Sequence, residues 1–395
     1  MESSTVTHAP AYRLSDLAKY FLKLGTLGFG GPVALVGYMH RDLVEKRQWI
    51  SEEEYREGLA LAQLAPGPLA AQLGIYLGYV HYGIWGATLI SLAFVLPSFV
   101  MVVLLGMAYQ VYGGLSWMQA VFYGVGSAVI GIIAISSYKL TVKSVGKFHW
   151  QEMKSRWLLW LFFLAMALTT AITQREEVWL FLILGFAYMV IKAPPRWLKR
   201  KSPALPMVLL IGTGFWQYQP DTLWQIGWFF TKAGAFVFGS GLAIIPFLQT
   251  GVVHELGWLN EQQFLDAVAV AMITPGPVVI TVAFIGFLVA GFAGAAVAAF
   301  GVFFPCYIFT IAPAPYFKKI SKNASIRAFV DGITAAVVGA LVGAVIVIAT
   351  RSITDIPSAL IAIGTVLALL YVKKLQEPYI IGIAAVLGLL LKTFV

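Results

Sequence analysis

Apolar runs long enough to cross a bilayer recur along the chain, at 84–111, 117–138, 157–173, 178–191, 292–312, 328–350, 356–372 and 378–391. A crossing helix needs about 20 such residues, fewer when flanked by snorkelling groups. Backbone in lipid must satisfy its own hydrogen bonds, so helices are the expected solution, and the runs lack the period-two alternation of a membrane β-barrel. The 395 residues are 59% hydrophobic and 11% charged, more apolar surface than a soluble exterior can cover. The expected fold class is an all-α polytopic membrane protein, multi-pass in the plasma membrane, with the bilayer itself as a partner. A formal charge of +9 would suggest nucleic acid for a soluble chain. Here the basic residues sit mainly between apolar runs, so no nucleic-acid partner is expected. The single cysteine, Cys306, excludes an intrachain disulfide, and no two of the five histidines stand at i, i+3 or i, i+4. No metal, cofactor or enzymatic activity is expected, since the apolar runs show neither His–Asp nor Glu-x-x-His spacing. No signal-peptide pattern is legible in 1–12.

The chain reads as a duplication. A shift of 209 positions aligns 21–68 with 230–277 without a gap, with 14 identities in 48 positions. FLKLGTLGFGG faces FTKAGAFVFGS, Trp49 faces Trp258, and Pro-Gly-Pro at 66–68 faces Pro-Gly-Pro at 275–277. One residue then drops out, and at a shift of 208 Gly78, Gly83, Gly86, Pro97, Gly124 and Gly131 face Gly286, Gly291, Gly294, Pro305, Gly332 and Gly339. The division expected is a first repeat at 1–201, a linker at 202–220 and a second repeat at 221–395.

Both copies open a helix with a capping pattern, Ser51-x-x-Glu54 and Asn260-x-x-Gln263, and both then meet Pro-Gly-Pro. As one helix, 51–82 would span about 48 Å, too long for a core of about 30 Å. Proline removes a donor and clashes with the preceding turn, so a broken, re-entrant element is expected. A second break per copy is expected at Gly-rich TLGFGGP (26–32) and VFGSG (237–241).

If 51–82 folds back, loops 40–57, 139–156 and 192–201 share one side and carry fourteen basic residues, against only Arg175 in the opposite loops 110–117 and 173–178. In the second copy the equivalent loops reverse: Arg351 and Lys392 on the matching side, and Lys318, Lys319, Lys322, Arg327, Lys373 and Lys374 on the other. Basic loops stay cytoplasmic, so the two repeats are expected to be inverted, the arrangement of secondary transporters. With the N-terminus inside, 204–218 has to cross; the alternative places the N-terminus outside and 204–218 along the surface.

Helix starts within the membrane present spare N–H donors and partial positive charge, which suits an anion. The substrate-binding candidates are Gly30, Gly31, Pro32, Pro66, Gly67 and Pro68 in the first copy, with Gly239, Ser240, Gly241, Pro275, Gly276 and Pro277 in the second. Lys23 and Lys232 hold the same repeat position and read as paired cations, or as lysines snorkelling to the interface. Gln63 and Thr274 are candidate neutral donors, or ordinary helix residues. Glu57 and Asp266 correspond and are candidates for proton coupling, or members of a solvated helix face.

GFGGPVAL, RQWISEEEY and LAQLAPGP, with FGSG and PGP again in the second half, resemble the chromate ion transporter family in its two-domain, long-chain form. The likeness covers nearly the whole chain. It implies efflux of a small inorganic oxyanion, chromate, from the bacterial cytoplasm, two homologous halves of opposite orientation, and an odd number of membrane segments. The family's motifs map to Gly28–Pro32 and Ala65–Pro68. The second half departs from the pattern: Val237 stands at the position of Gly28, and Ser240-Gly241 at that of Gly31-Pro32. No P-loop is present, so a secondary transporter is expected, with sulfate or another anion as the alternative substrate and a homodimer left open.

Overall fold

The computed structural model describes residues 12–29, 31–174, 178–195, 221–236, 241–317, 323–372 and 377–393. Gly30, Val237, Gly239, Ser240, the linker stretch 204–218, Arg175 and the lysines at 199, 201, 318, 319, 322, 373 and 374 lie outside them.

The described residues of the first half run through α1 (Leu14–Leu27), α2 (Gly31–Met39), α3 (Glu52–Leu64), α4 (Leu69–Tyr112), α5 (Ser116–Ser144), α6 (Trp150–Ser155), α7 (Trp157–Thr173) and α8 (Val178–Lys192). The second half holds α9 (Thr222–Ala235), α10 (Ile245–Gln249), α11 (Glu261–Ile273), α12 (Thr281–Ile311), α13 (Ala324–Ser352), α14 (Ile356–Tyr371) and α15 (Glu377–Thr393). Four of the described helical stretches, Leu69–Tyr112, Ser116–Ser144, Val278–Tyr316 and Ala324–Ser352, are long and apolar enough to cross a membrane. Large apolar side chains such as Leu164, Leu168 and Phe300 face outward along helix middles, while exposed Trp117, Trp157, Trp179 and Tyr371 sit near helix ends. That is the distribution of a lipid-facing surface with interfacial aromatic belts.

Local chemistry sets where helices start and stop. The Ser51 hydroxyl accepts from the Glu54 N–H at 3.2 Å, and the Glu54 carboxylate accepts from the Ser51 N–H at 2.9 Å. Asn260 and Gln263 make the same reciprocal pair at 2.8 and 3.0 Å. Each cap satisfies donors that a helix start leaves spare. α3 then ends at Leu64 and α4 starts at Leu69; between them Gly67 takes a φ of 144°, which a side chain would strain against. The matching break follows Ile273, with Gly276 at a φ of 103°.

α4 is two arms. Gly83 (φ 60°, ψ −148°) reverses the chain, so a Cβ on Gly78 would lie 2.6 Å from the Gly86 carbonyl oxygen. Gly291 reverses α12 in the same way, bringing Gly286 against Gly294. The short arm 69–82 lies beside α3: the His81 ring meets the Glu54 carboxylate at 2.9 Å, and the Tyr76 hydroxyl donates to Glu57 at 3.3 Å. Tyr12, ahead of α1, stacks on Trp49 and bonds His81 at 2.6 Å, so the start of α1 is at this same end.

The long arms of α4 and α12 pack antiparallel. Thr88 meets Tyr307 at 2.7 Å, whereas Phe99 meets the Phe292 ring at 6.0 Å between centroids. α5 and α13 also run antiparallel: Leu140 and Lys143 share a cavity with Val330 and Asp331, whereas Tyr123 bonds Asp355 just past the end of α13. The outer hairpins are exchanged between halves. On α13, Gly339 lies against the Phe163 carbonyl of α7 and Gly332 against Gly185 of α8. On α5, Gly131 lies against the Ala362 carbonyl of α14 and Gly124 against Gly388 of α15.

A Cβ at 339 would stand 2.2 Å from the Phe163 carbonyl oxygen, closer than any relaxed contact. Gly339→Val should therefore destabilise the protein by roughly 1–3 kcal/mol, the usual range for overpacking. Thermal unfolding in detergent reads this as a lowered midpoint. Gly364→Ala, where nothing lies within 4 Å, should leave the midpoint unchanged or raise it.

Candidate functional site

The breaks of the two halves meet each other's partners. The Gly276 N–H donates to the Gly28 carbonyl at 3.0 Å, so the second Pro-Gly-Pro touches the first Gly-rich element where α1 ends. A Cβ on Gly276 would fall 2.0 Å from Ser98 Oγ, and one on Gly67 would fall 3.0 Å from Cys306 Sγ. Ser98 and Cys306 follow Pro97 and Pro305 at matching positions of α4 and α12. Each break is thus lodged against the long arm of the opposite half, and only glycine fits.

At the first break, Pro68 is the N-cap of α4 and its carbonyl accepts from the Gln72 N–H at 3.0 Å. The amides of Leu69, Ala70 and Ala71 precede any intrahelical partner, and these residues are buried. Gln72 is fully buried; its Nε2 donates to the Pro66 carbonyl at 2.8 Å, and its Oε1 has no partner among the described residues. Burial without a partner is costly for such groups, so a polar guest here would be stabilised. At the second break Pro275, Gly276 and Pro277 are buried, a 3-10 turn Val278–Ile280 precedes α12, and the Thr274 hydroxyl bonds the Val270 carbonyl of its own helix. Gly31 opens α2 with a φ of 72°, followed by Pro32, and Gly241 opens a 3-10 turn beside Val279. The Glu377 carboxylate lies just beyond Gly31.

Lys23 lines a cavity of about 290 Å³ with Arg41, Arg47, Asp42, Gly28 and Phe29. Its lining follows α1 from Tyr20 to Gly28, the residue whose carbonyl Gly276 contacts. Arg47 stacks over Trp49 and Tyr20, with its guanidinium carbon 4.5 and 5.3 Å from the ring centres. Arg41 bonds Asp42 at 3.1 Å, and Lys46 reaches the same carboxylate at 3.5 Å. Burial pushes the Asp42 carboxyl up, but the Arg41 bond and the two cations outweigh it and hold it below its usual range. Three cations against one carboxylate leave this cavity with an excess of positive charge.

Lys232 is exposed on α9, its ammonium 5.9 Å from the Trp228 ring centre, and is not among the residues lining the Lys23 cavity. Gln63 is exposed and lines a separate cavity of about 470 Å³ with Lys143, Arg156, Tyr188, Asp331 and Thr334. Glu57 accepts from Tyr76 of its own half, whereas Asp266, 3% exposed, accepts from Tyr109 of the other half at 2.7 Å and from Gln262 at 2.8 Å. Sequence reasoning counted Arg41, Arg47, Lys143 and Arg156 only as topology charges and passed over Gln72 and Ser98. The matched prolines at 97 and 305 were the signal available for Ser98 and Cys306.

Known proteins place this architecture. The chromate transporter family model matches residues 15–190 and again 224–389. The chain is 62% identical to a chromate transport protein of Cupriavidus metallidurans, over 98% of this chain and 95% of that one. It is 58% identical to a probable chromate transport protein of Synechococcus elongatus, over 98% of each, and 29% identical to a chromate transport protein of Pseudomonas aeruginosa, over 97% and 93%. No solved structure matches the chain. A model that fits both halves, and relatives matched from end to end, establish that this multi-pass plasma-membrane protein belongs to the chromate transporter family.

Proposed function

We propose that the chain is a secondary transporter that moves a tetrahedral oxyanion, chromate in the first place, out of the cytoplasm. The observation that carries this reading is the seam at Gly28 and Gly276, where breaks from the two halves are joined by one hydrogen bond at the foot of a cationic cavity. Buried amides, a glycine surface and nearby cations are what an anion needs on leaving water. Pro66–Pro68 and Pro275–Pro277 are the cradles proposed, with Gly30, Gly31, Pro32, Gly239, Ser240 and Gly241 as the second pair of breaks. Lys23 and Lys232 are the cations that draw the anion in, Gln63 and Thr274 polar neighbours of the cradles, and Glu57 and Asp266 the carboxylates proposed to carry protons.

The antiparallel pairing of α4 with α12 and of α5 with α13 supports opposite insertion of two repeats. Contacts also gather the basic loops: residues 52–57 share a pocket with Phe317 and Arg327, and Lys143 and Arg156 share one with Asp331. At the other end Arg351 reaches Gln174 and Glu261. Direction follows from energetics. A dianion leaving an inside-negative cell gains about 4.6 kcal/mol per 100 mV, roughly a thousandfold bias without ATP. The printed names of the relatives favour chromate; sulfate, also a tetrahedral dianion, is the second reading.

Everted membrane vesicles test the substrate and direction. They should take up radiolabelled chromate when their lumen is positive, stop when the potential is collapsed, and be inhibited more by unlabelled chromate than by sulfate. Uptake of sulfate without chromate would move the assignment to the second reading. In the same assay Lys23→Ala should lower chromate uptake about tenfold with protein level unchanged, since a charge-assisted contact is worth about 1.5 kcal/mol or more. Lys232→Ala should lower it less. Single cysteines in a Cys306→Ser background test the insertion: positions 147 and 323 should label only from the cytoplasm, and 114 and 355 only from outside. Opposite labelling of 147 and 323 would rule out inverted repeats.

A further inference from the structure

We propose that the cavity of about 470 Å³ between α3, α5, α7, α8 and α13 is a docking site for a doubly charged oxyanion on its way to the first break. The proposal rests on the transport reading above and adds a site to it. Gln63 and Leu64, the last turn of α3, form one wall and stand directly before Ala65–Pro68. Lys143 comes from the end of α5 and Arg156 from the cap of α7, both in the first half; Asp331 comes from α13 in the second. Lys143 has no ion-pair or hydrogen-bond partner among the described residues, and Arg156 makes no salt bridge to a carboxylate among them. Two side-chain cations face one carboxylate, so the cavity has a surplus positive charge and room for a hydrated anion.

The opposite end of the molecule shows what such a cation does when it is not waiting for a ligand. The repeat equivalent of Lys143 is Arg351. Arg351 donates to Glu261 at 2.7 Å and to Gln174, and meets the His254 ring at 3.0 Å. Glu261 also accepts from Gln249 at 2.7 Å. One end of the pseudo-symmetric frame is latched by internal partners, while its equivalent is open and unpaired. Asp331 opposes an incoming anion, which keeps the site from holding it too tightly to release.

The experiment is chromate binding by titration calorimetry, with sulfate as a second probe, to full-length protein in zwitterionic nanodiscs. Lys143→Gln and Arg156→Gln should each weaken binding about tenfold or more, Lys143→Arg should retain it, and Asp331→Asn should tighten it. Lys154→Gln, basic and exposed but lining neither this cavity nor that of Lys23, should leave it unchanged. A wild-type protein whose chromate binding is unaltered by all three neutralising variants overturns the docking site and leaves the transport reading standing. A wild type that binds neither anion overturns both. An anionic phospholipid headgroup offers the same chemistry; if adding phosphatidylglycerol to the discs abolishes chromate binding in the wild type, the cavity is a lipid site and the proposal fails.

Discussion

The structure depends on close backbone contact at four glycines, 124, 131, 332 and 339, two on α5 and two on α13. In lipid there is no hydrophobic drive between helices, so association rests on van der Waals packing, and small residues let backbones approach. At each of these glycines a carbonyl or Cα of the neighbouring helix occupies the space a side chain would need. What makes the arrangement unusual is the identity of the neighbour. α5 receives α14 and α15, and α13 receives α7 and α8, so each half completes the other. The breaks follow the same logic, with Gly67 against Cys306 of α12 and Gly276 against Ser98 of α4.

That exchange places irregular backbone where lipid cannot reach it. The amides at the start of α4 are buried in protein, which is the condition under which non-helical backbone is tolerated at membrane depth. The two cationic cavities each contain a carboxylate as well: Asp42 near Lys23, and Asp331 near Lys143. Outside the apolar runs the charges are used as fastenings. The Asp355 carboxyl is held below its usual range by hydrogen bonds from Ser358 and Tyr123, which fixes the start of α14 against α5.

Much of this could be read from the residues. Prolines at 66 and 68 and the Ser51 and Asn260 caps dictate where α3 and α11 begin and end, because proline and capping chemistry act within a few residues. The apolar runs at 157–173 and 178–191 coincide with α7 and α8. The reversals at Gly83 and Gly291 were aligned as matching glycines but not recognised as turns, because a positive φ leaves no trace in hydropathy. The exchange of outer hairpins was not legible either: pattern shows which face is apolar, not which helix covers it. Lys23 and Lys232 look equivalent in sequence, yet among the described residues only Lys23 has arginines beside it, since positions 41 and 47 become Thr250 and Leu256 in the second half.

The exchanged hairpins have a consequence for how the chain is made. When the ribosome has delivered α7 and α8, the glycine grooves that will seat them do not yet exist, because α13 is still to be synthesised. The first half must therefore wait in the bilayer with its last two helices unsettled, and α5 must wait for α14 and α15. Assembly is completed only when α14 and α15 arrive, so these late helices, more than the early ones, decide whether the bundle closes.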